Sequence, residues 1–165
     1  MTLRQHPFFD WSGAHAFAHR GGASDAPENT LSAFQRAVDI GYTFMETDVH
    51  ATSDGVLLAF HDDDLQRTCG VAGRISQLTH AEVSRARVDG REPIPTFDEL
   101  VNTWPNLRWN IDCKSDDALP HLVAALRKHR ILDRVCLGAF SDRRLRTLRS
   151  ELRSEEHTSE LQSRL

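Results

Sequence analysis

Nothing in this 165-residue chain approaches the run of ~20 apolar residues that a membrane-spanning helix requires, and Met1 to Trp11 lacks the apolar segment of a secretory signal. Its three cysteines, Cys69, Cys113 and Cys136, are odd in number and lack metal-site spacing, which argues against a disulfide framework or a thiolate zinc site and for reduced thiols. Excess positive charge is also missing. A net charge of −4 and a pI near 6.1 give no general pull toward nucleic acid or an anionic membrane, so any affinity for phosphate must be local. There is no internal repeat and no low-complexity segment. These absences lead us to expect a cytoplasmic domain with no nucleic-acid partner and no integral membrane segment.

What the chain does have is a set of short apolar runs that each end in ionisable residues. Ala14 to Ala18 stops at His19-Arg20-Gly21-Gly22, where paired glycines mark a turn. Phe44 to His50 has strand composition, and residues two apart in a strand share a face, so Glu46 and Asp48 project together while Met45 and Val49 project the other way. Val56 to Phe60 is a continuous apolar run of the kind a strand buried on both faces shows, opened by Asp54-Gly55 and closed by His61. Arg108 to Cys113 reads as a fourth strand, with Asn110, Asp112 and Lys114 on one face and Cys113 turned toward the helices. Val135 to Phe140 reads as a fifth.

Helices fill the intervals. Pro27-Glu28-Asn29 opens one in which Leu31, Phe34 and Val38 recur at helical spacing up to Gly41. Thr96 to Leu100 starts a short one, and Leu119 to His129 and Arg143 to Leu152 give two more. A short helix is expected around Ala81 to Ala86, within a loop from Gly70 to Glu92. Strand, helix, parallel strand is the βαβ unit, and in parallel α/β sheets ligands bind at the C-terminal ends of the strands.

The ordered succession His19-Arg20-Gly21-Gly22, Pro27-Glu28-Asn29-Thr30, Glu46-Thr47-Asp48, Asp54-Gly55, Phe60-His61-Asp62, Ile75 to Leu78, Pro95 to Leu100 and Asn110 to Lys114 resembles the glycerophosphodiester phosphodiesterase family. The resemblance runs from about Ala14 to about Asp142. It implies a (β/α)8 barrel, of which about five parallel strands are present, with the site at the C-terminal rim. It also implies metal-dependent hydrolysis of glycerophosphodiesters to an alcohol and glycerol 3-phosphate. His19 and His61 carry over as the acid/base pair, Glu46, Asp48 and Asp112 as ligands of Mg²⁺ or Ca²⁺, and Arg20 and Lys114 as phosphate contacts. Asp112 stands where the family usually has glutamate, one methylene longer.

The chemistry fits those residue types. A phosphodiester repels nucleophiles, so hydrolysis needs charge neutralisation, an activated attacking oxygen and protonation of the departing alkoxide. Carboxylates suit a hard divalent cation, and two histidines can act as base and acid across the phosphorus. The alternatives are a related barrel enzyme of phospholipase D type acting on lysophospholipids, or an inactive fragment that only binds phosphate or a divalent cation. Pro27 to Thr30 also reads as plain helix-start chemistry, Lys114 as an ion-pair partner of Asp112, and Asp62, Asp63 and Asp64 as a loop-side acidic run. The other histidines, including His15, His50 and His80, read as structural.

Length sets one further expectation, since such barrels take about 250 residues. The chain reads as an N-terminal extension (1–13), a truncated barrel domain (14–152) and a tail (153–165) similar to translated sequencing adapter. A five-strand segment leaves unpaired edges, so aggregation and weak activity are expected of it.

Overall fold

The computed structural model describes residues 6–22 and 26–162, from Ser154 onward through the backbone alone. Strand β1 (Phe17–Ala18) lies parallel to β2 (Phe44–Ala51), β2 lies parallel to β4 (Arg108–Cys113), and β4 lies parallel to β5 (Val135–Gly138), giving the lateral order β1-β2-β4-β5. Helix α1 (Leu31–Asp39) links the first pair. Its first turn is capped by Thr30, whose hydroxyl accepts from the Ala33 N–H at 3.3 Å. Helix α4 (Phe97–Thr103) precedes β4 and begins with a reciprocal Thr96/Glu99 capping box. Helix α5 (Ala118–His129) connects β4 to β5, and α6 (Asp142–Gln162) follows β5. The expected tail continues this last helix to Gln162; its side chains and residues 163–165 lie outside the described residues.

The third strand departs from the expected direction. Leu57–Ala59 (β3) runs antiparallel to β2, with Val49 opposite Ala59 and Ala51 opposite Leu57. Only residues 52–56 separate the two strands, and a parallel return needs a crossover of about a dozen residues or more. The Asp54-Gly55 turn therefore makes a hairpin. The sheet holds the expected five strands, four running one way and β3 returning toward them. Carbonyl direction places it: the Val49 carbonyl accepts from Lys114 N on the β4 flank, whereas the Asp48 carbonyl accepts from Phe60 N at 2.9 Å on the other. Thus β3 continues above β1 on the same flank of β2.

Period-two alternation sorts the sheet into two faces. Met45, Val49, Trp109, Ile111 and Cys113 are buried in one cluster with Phe34 and Ala37 of α1, Leu100 and Val101 of α4, and Leu122 and Leu126 of α5. The opposite face carries Glu46, Asp48, Asn110 and Asp112. Beneath them Phe44 is covered by the N-terminal segment, where Phe8 of the turn Pro7–Phe9 packs edge-on to Phe44 and stacks on Phe17. Strand β3 is buried on both faces, as its unbroken apolar run implies. Leu57 and Ala59 join the main core, while Leu58 and Phe60 join a second cluster with Leu65, Ile75, Val83 and Ile94. The segment read as a loop from Gly70 to Glu92 is therefore folded around this second core, with α2 (Gln66–Cys69) before it and α3 (His80–Val83) within it.

Candidate active site

A sharp turn ends β1. Arg20, Gly21 and Gly22 all have positive φ (51°, 83° and 75°), a run that lets the Arg20 N–H point back at Glu46 Oε2, 3.0 Å away. For Arg20 the left-handed conformation is strained, and such outliers persist where the surrounding contacts fix them. Strand β1 delivers His19 upward, and antiparallel β3 delivers His61 downward to the same rim. Glu46 and Asp48 arrive from β2, in register with Asn110 and Asp112 of β4. Lys114 follows from the end of β4.

His19, Arg20, Glu46, Asp48, His61, Asp112 and Lys114, the seven residues singled out from the sequence, all line one cavity of about 440 Å³. Asn110 and the segment Gly138 to Phe140 complete its wall. The volume is in the range of small-ligand pockets.

Its charges are heavily paired. Lys114 Nζ bridges Asp48 Oδ1 at 2.9 Å and Asp112 Oδ2 at 2.7 Å. Burial works against the ammonium, but hydrogen bonds to these carboxylates outweigh it, and the Lys114 pKa is raised. Arg20 Nε approaches Asp48 Oδ2 at 3.2 Å, and His19 Nε2 lies 3.9 Å from Glu46 Oε2. Burial, followed by the repulsion of Asp48, raises the Glu46 pKa despite the Arg20 N–H. Asp112 Oδ1 is buried without a hydrogen-bond partner. An orphaned carboxylate oxygen and a glutamate with a raised pKa are donors that a hard cation would satisfy. Among the described residues, however, no three His, Cys, Asp or Glu side chains are already gathered for a metal, and Lys114 bridges two of the three carboxylates, Asp48 and Asp112.

Several participants fell outside the residues singled out. Asn29 donates from Nδ2 to Asp48 Oδ2 at 3.0 Å, and its Oδ1 accepts from the Thr47 hydroxyl at 2.9 Å. Asn29, itself at positive φ, thus anchors Asp48 while Thr30 does the capping. Pro27-Glu28-Asn29-Thr30 serves both readings. Asp62, read as part of an acidic run, binds His61 Nδ1 through Oδ1 at 2.5 Å. Its neighbour in sequence is the only local signal of that contact. His50, outside the cavity wall, places its Nε2 on the His61 carbonyl at 3.1 Å; burial is the main cause of its lowered pKa.

Imidazoles, carboxylates and cations gathered where the parallel strands end define the class as an α/β protein with a charged ligand site at the C-terminal rim of its sheet. Residues 19–160 match the Glycerophosphoryl diester phosphodiesterase family, and the chain belongs to it. A Mycobacterium tuberculosis relative named "Probable glycerophosphodiester phosphodiesterase 2" is 37% identical over 140 residues, 84% of this chain and 53% of that protein. A human lysophospholipase D is 38% identical over 110 residues, 59% of this chain and 35% of that protein. The crystal structure of an Agrobacterium tumefaciens glycerophosphodiester phosphodiesterase superposes with TM-score 0.77 at 25% identity, covering 84% of this chain and 63% of that one. An Oleispira antarctica phosphodiesterase in complex with sn-glycerol-3-phosphate gives TM-score 0.72 at 28% identity, covering 78% and 58%. The four parallel strands β1, β2, β4 and β5 belong to the (β/α)8 barrel of these proteins, with β3 as a hairpin addition to β2. The chain spans about half the length of the first of these relatives. No helix among the described residues is long and apolar enough to cross a membrane.

Proposed function

We propose that this chain carries the phosphodiester-cleaving half-site of a glycerophosphodiester phosphodiesterase, releasing an alcohol and glycerol 3-phosphate. The observation that carries the reading is the gathering of two histidines, three carboxylates and two cations around one cavity. Arg20 and Lys114 supply positive charge where the phosphate oxygens would lie. His19 and His61, reaching the cavity on separate strands, act as the proton donor and acceptor of an in-line displacement. Glu46, Asp48 and Asp112 would hold the divalent cation, Mg²⁺ or Ca²⁺, which when bound supplies Lewis-acid polarisation of the phosphoryl oxygen. Lys114, which bridges Asp48 and Asp112 in this structure, would be available to the phosphate oxygens once those carboxylates held the ion.

A second substrate class is favoured by Phe140, which is 95% exposed at the cavity wall. An apolar ring there suits the acyl chain of a lysophospholipid.

Isothermal titration with Mg²⁺ and Ca²⁺, run beside a glycerol 3-phosphate release assay on glycerophosphocholine, tests the reading. We expect Glu46→Gln to weaken ion binding and His61→Ala to spare binding while lowering release by about 10²-fold or more, the usual worth of acid/base help. Ion binding with no release above background by the wild type would mark the chain as a binder of ions or phosphate, and full release by His61→Ala would overturn the role given to His61.

A further inference from the structure

Arg67 belongs to α2, outside the cavity wall, yet its guanidinium holds two carboxylates from distant parts of the chain. Its Nε and Nη2 donate to Asp62 at 2.5 and 3.0 Å, and its Nη1 and Nη2 donate to Glu28 at 3.2 and 2.6 Å. Each of those carboxylates in turn grips a residue of the cavity. Asp62 Oδ1 meets His61 Nδ1 at 2.5 Å, and Glu28 Oε1 meets Arg20 Nη1 at 3.2 Å. Arg20 then reaches Asp48. The chain of contacts from His61 to Asp48 passes through Asp62, Arg67, Glu28 and Arg20, and it ties the turn after β1 to the end of β3.

We propose that Arg67 and Asp62 are positioning residues for the reaction, Arg67 by clamping Asp62 and Glu28 together and Asp62 by holding His61 through Nδ1 so that Nε2 serves the substrate. This rests on the catalytic reading of His61. The chemistry is directional. An ionised carboxylate only accepts hydrogen bonds, so Nδ1 must carry the proton and Nε2 is left as the basic nitrogen of the neutral ring. Asp62 is kept ionised mainly by the Arg67 hydrogen bonds, which outweigh its partial burial. Burial pushes Glu28 upward, but Arg67 and Arg20 together lower its pKa.

Stability alone gives no reason for such a clamp. Arg67 is half exposed, and exposed ion pairs contribute little to folding. Geometry does give one. A planar guanidinium can bind two carboxylates at once along separate edges, which an ammonium cannot reproduce. The exposed side chain also makes Arg67→Gln a mild change for the fold.

The test is imidazole ¹⁵N spectroscopy of His61 in the metal-free chain, together with kcat and KM for glycerophosphocholine in Mg²⁺. In the wild type at a pH where the ring is neutral, we expect Nδ1 to be the protonated nitrogen. In Arg67→Gln and Asp62→Asn that preference should give way to a mixture of tautomers. Turnover should fall about tenfold or more in kcat with KM nearly unchanged, the scale typical of residues that orient a functional side chain. Arg67→Lys should fail to rescue it. An unchanged His61 tautomer in Arg67→Gln overturns the proposal. Full release by His61→Ala would instead defeat the catalytic reading of His61, and the tautomer would still decide whether the clamp positions the ring.

Discussion

Asp62 sits between an imidazole and a guanidinium, and its pKa is lowered to about 2, chiefly by the hydrogen bonds from Arg67. A carboxylate that binds its proton less tightly when folded contributes stability that is fully present above its unfolded pKa and is lost as pH falls through its folded one. The window here runs from about 4, the ordinary aspartate value, to about 2. We therefore expect the Asp62 carboxyl ¹³C titration to have its midpoint near 2, and to move toward the ordinary range in Arg67→Gln. A wild-type midpoint near 4 would show that the guanidinium does not hold it. Composition alone could not reveal this role. Asp62, Asp63 and Asp64 are identical in sequence character, and only the direction of β3 singles out the first. Asn29 was hidden differently, since a residue beside a helix cap satisfies the local pattern whether or not its side chain reaches Asp48. Glu46 and Asp48 were legible because period-two alternation fixes a shared face once a strand is recognised.

At the level of elements, the boundaries of β4 and α5 follow the sequence closely because alternation and helical spacing are each sustained over a whole element. The direction of β3 was not carried by its composition. A strand buried on both faces reads the same whichever way it runs, and the short interval 52–56 is the feature that decides. The turn after β1 is the other place where local backbone sets the site, and its glycines are not equivalent. Both Gly21 and Gly22 have positive φ, so alanine strains either, by roughly 1–2 kcal/mol. At Gly21 a Cβ would also meet the Phe34 backbone N and Ala33 Cβ at 2.9 Å, on the first turns of α1; at Gly22 the nearest atom is Ala18 Cβ at 4.0 Å. Gly21→Ala should thus destabilise the chain well beyond Gly22→Ala. Urea unfolding of the two variants measures the difference, and equal losses would show that α1 gives way without cost.

Across the whole molecule, the two faces of the sheet are unequally covered. Trp109, Ile111 and Cys113 of β4 are buried against helices, whereas Arg108, Asn110 and Asp112 on the facing side are half-buried. Strand β5 pairs with β4 alone among the described residues, and Cys136, Leu137 and Gly138 are only partly covered. Beside this flank Phe140 is 95% exposed, with Lys114 Nζ 5.4 Å from its ring centroid. A strand with free backbone groups next to an exposed aromatic ring is a template for pairing with a second copy. Self-association should therefore rise with concentration over the micromolar-to-millimolar range in which such edges meet. Light scattering coupled to size exclusion should give a mass above 18.7 kDa at the upper end of that range. Phe140→Glu adds a like charge on every copy and should return the chain toward the monomer mass. A monomer at every concentration would mean that the flank is closed in solution by contacts within the chain, and an association untouched by Phe140→Glu would move the contact from this ring to another part of the surface.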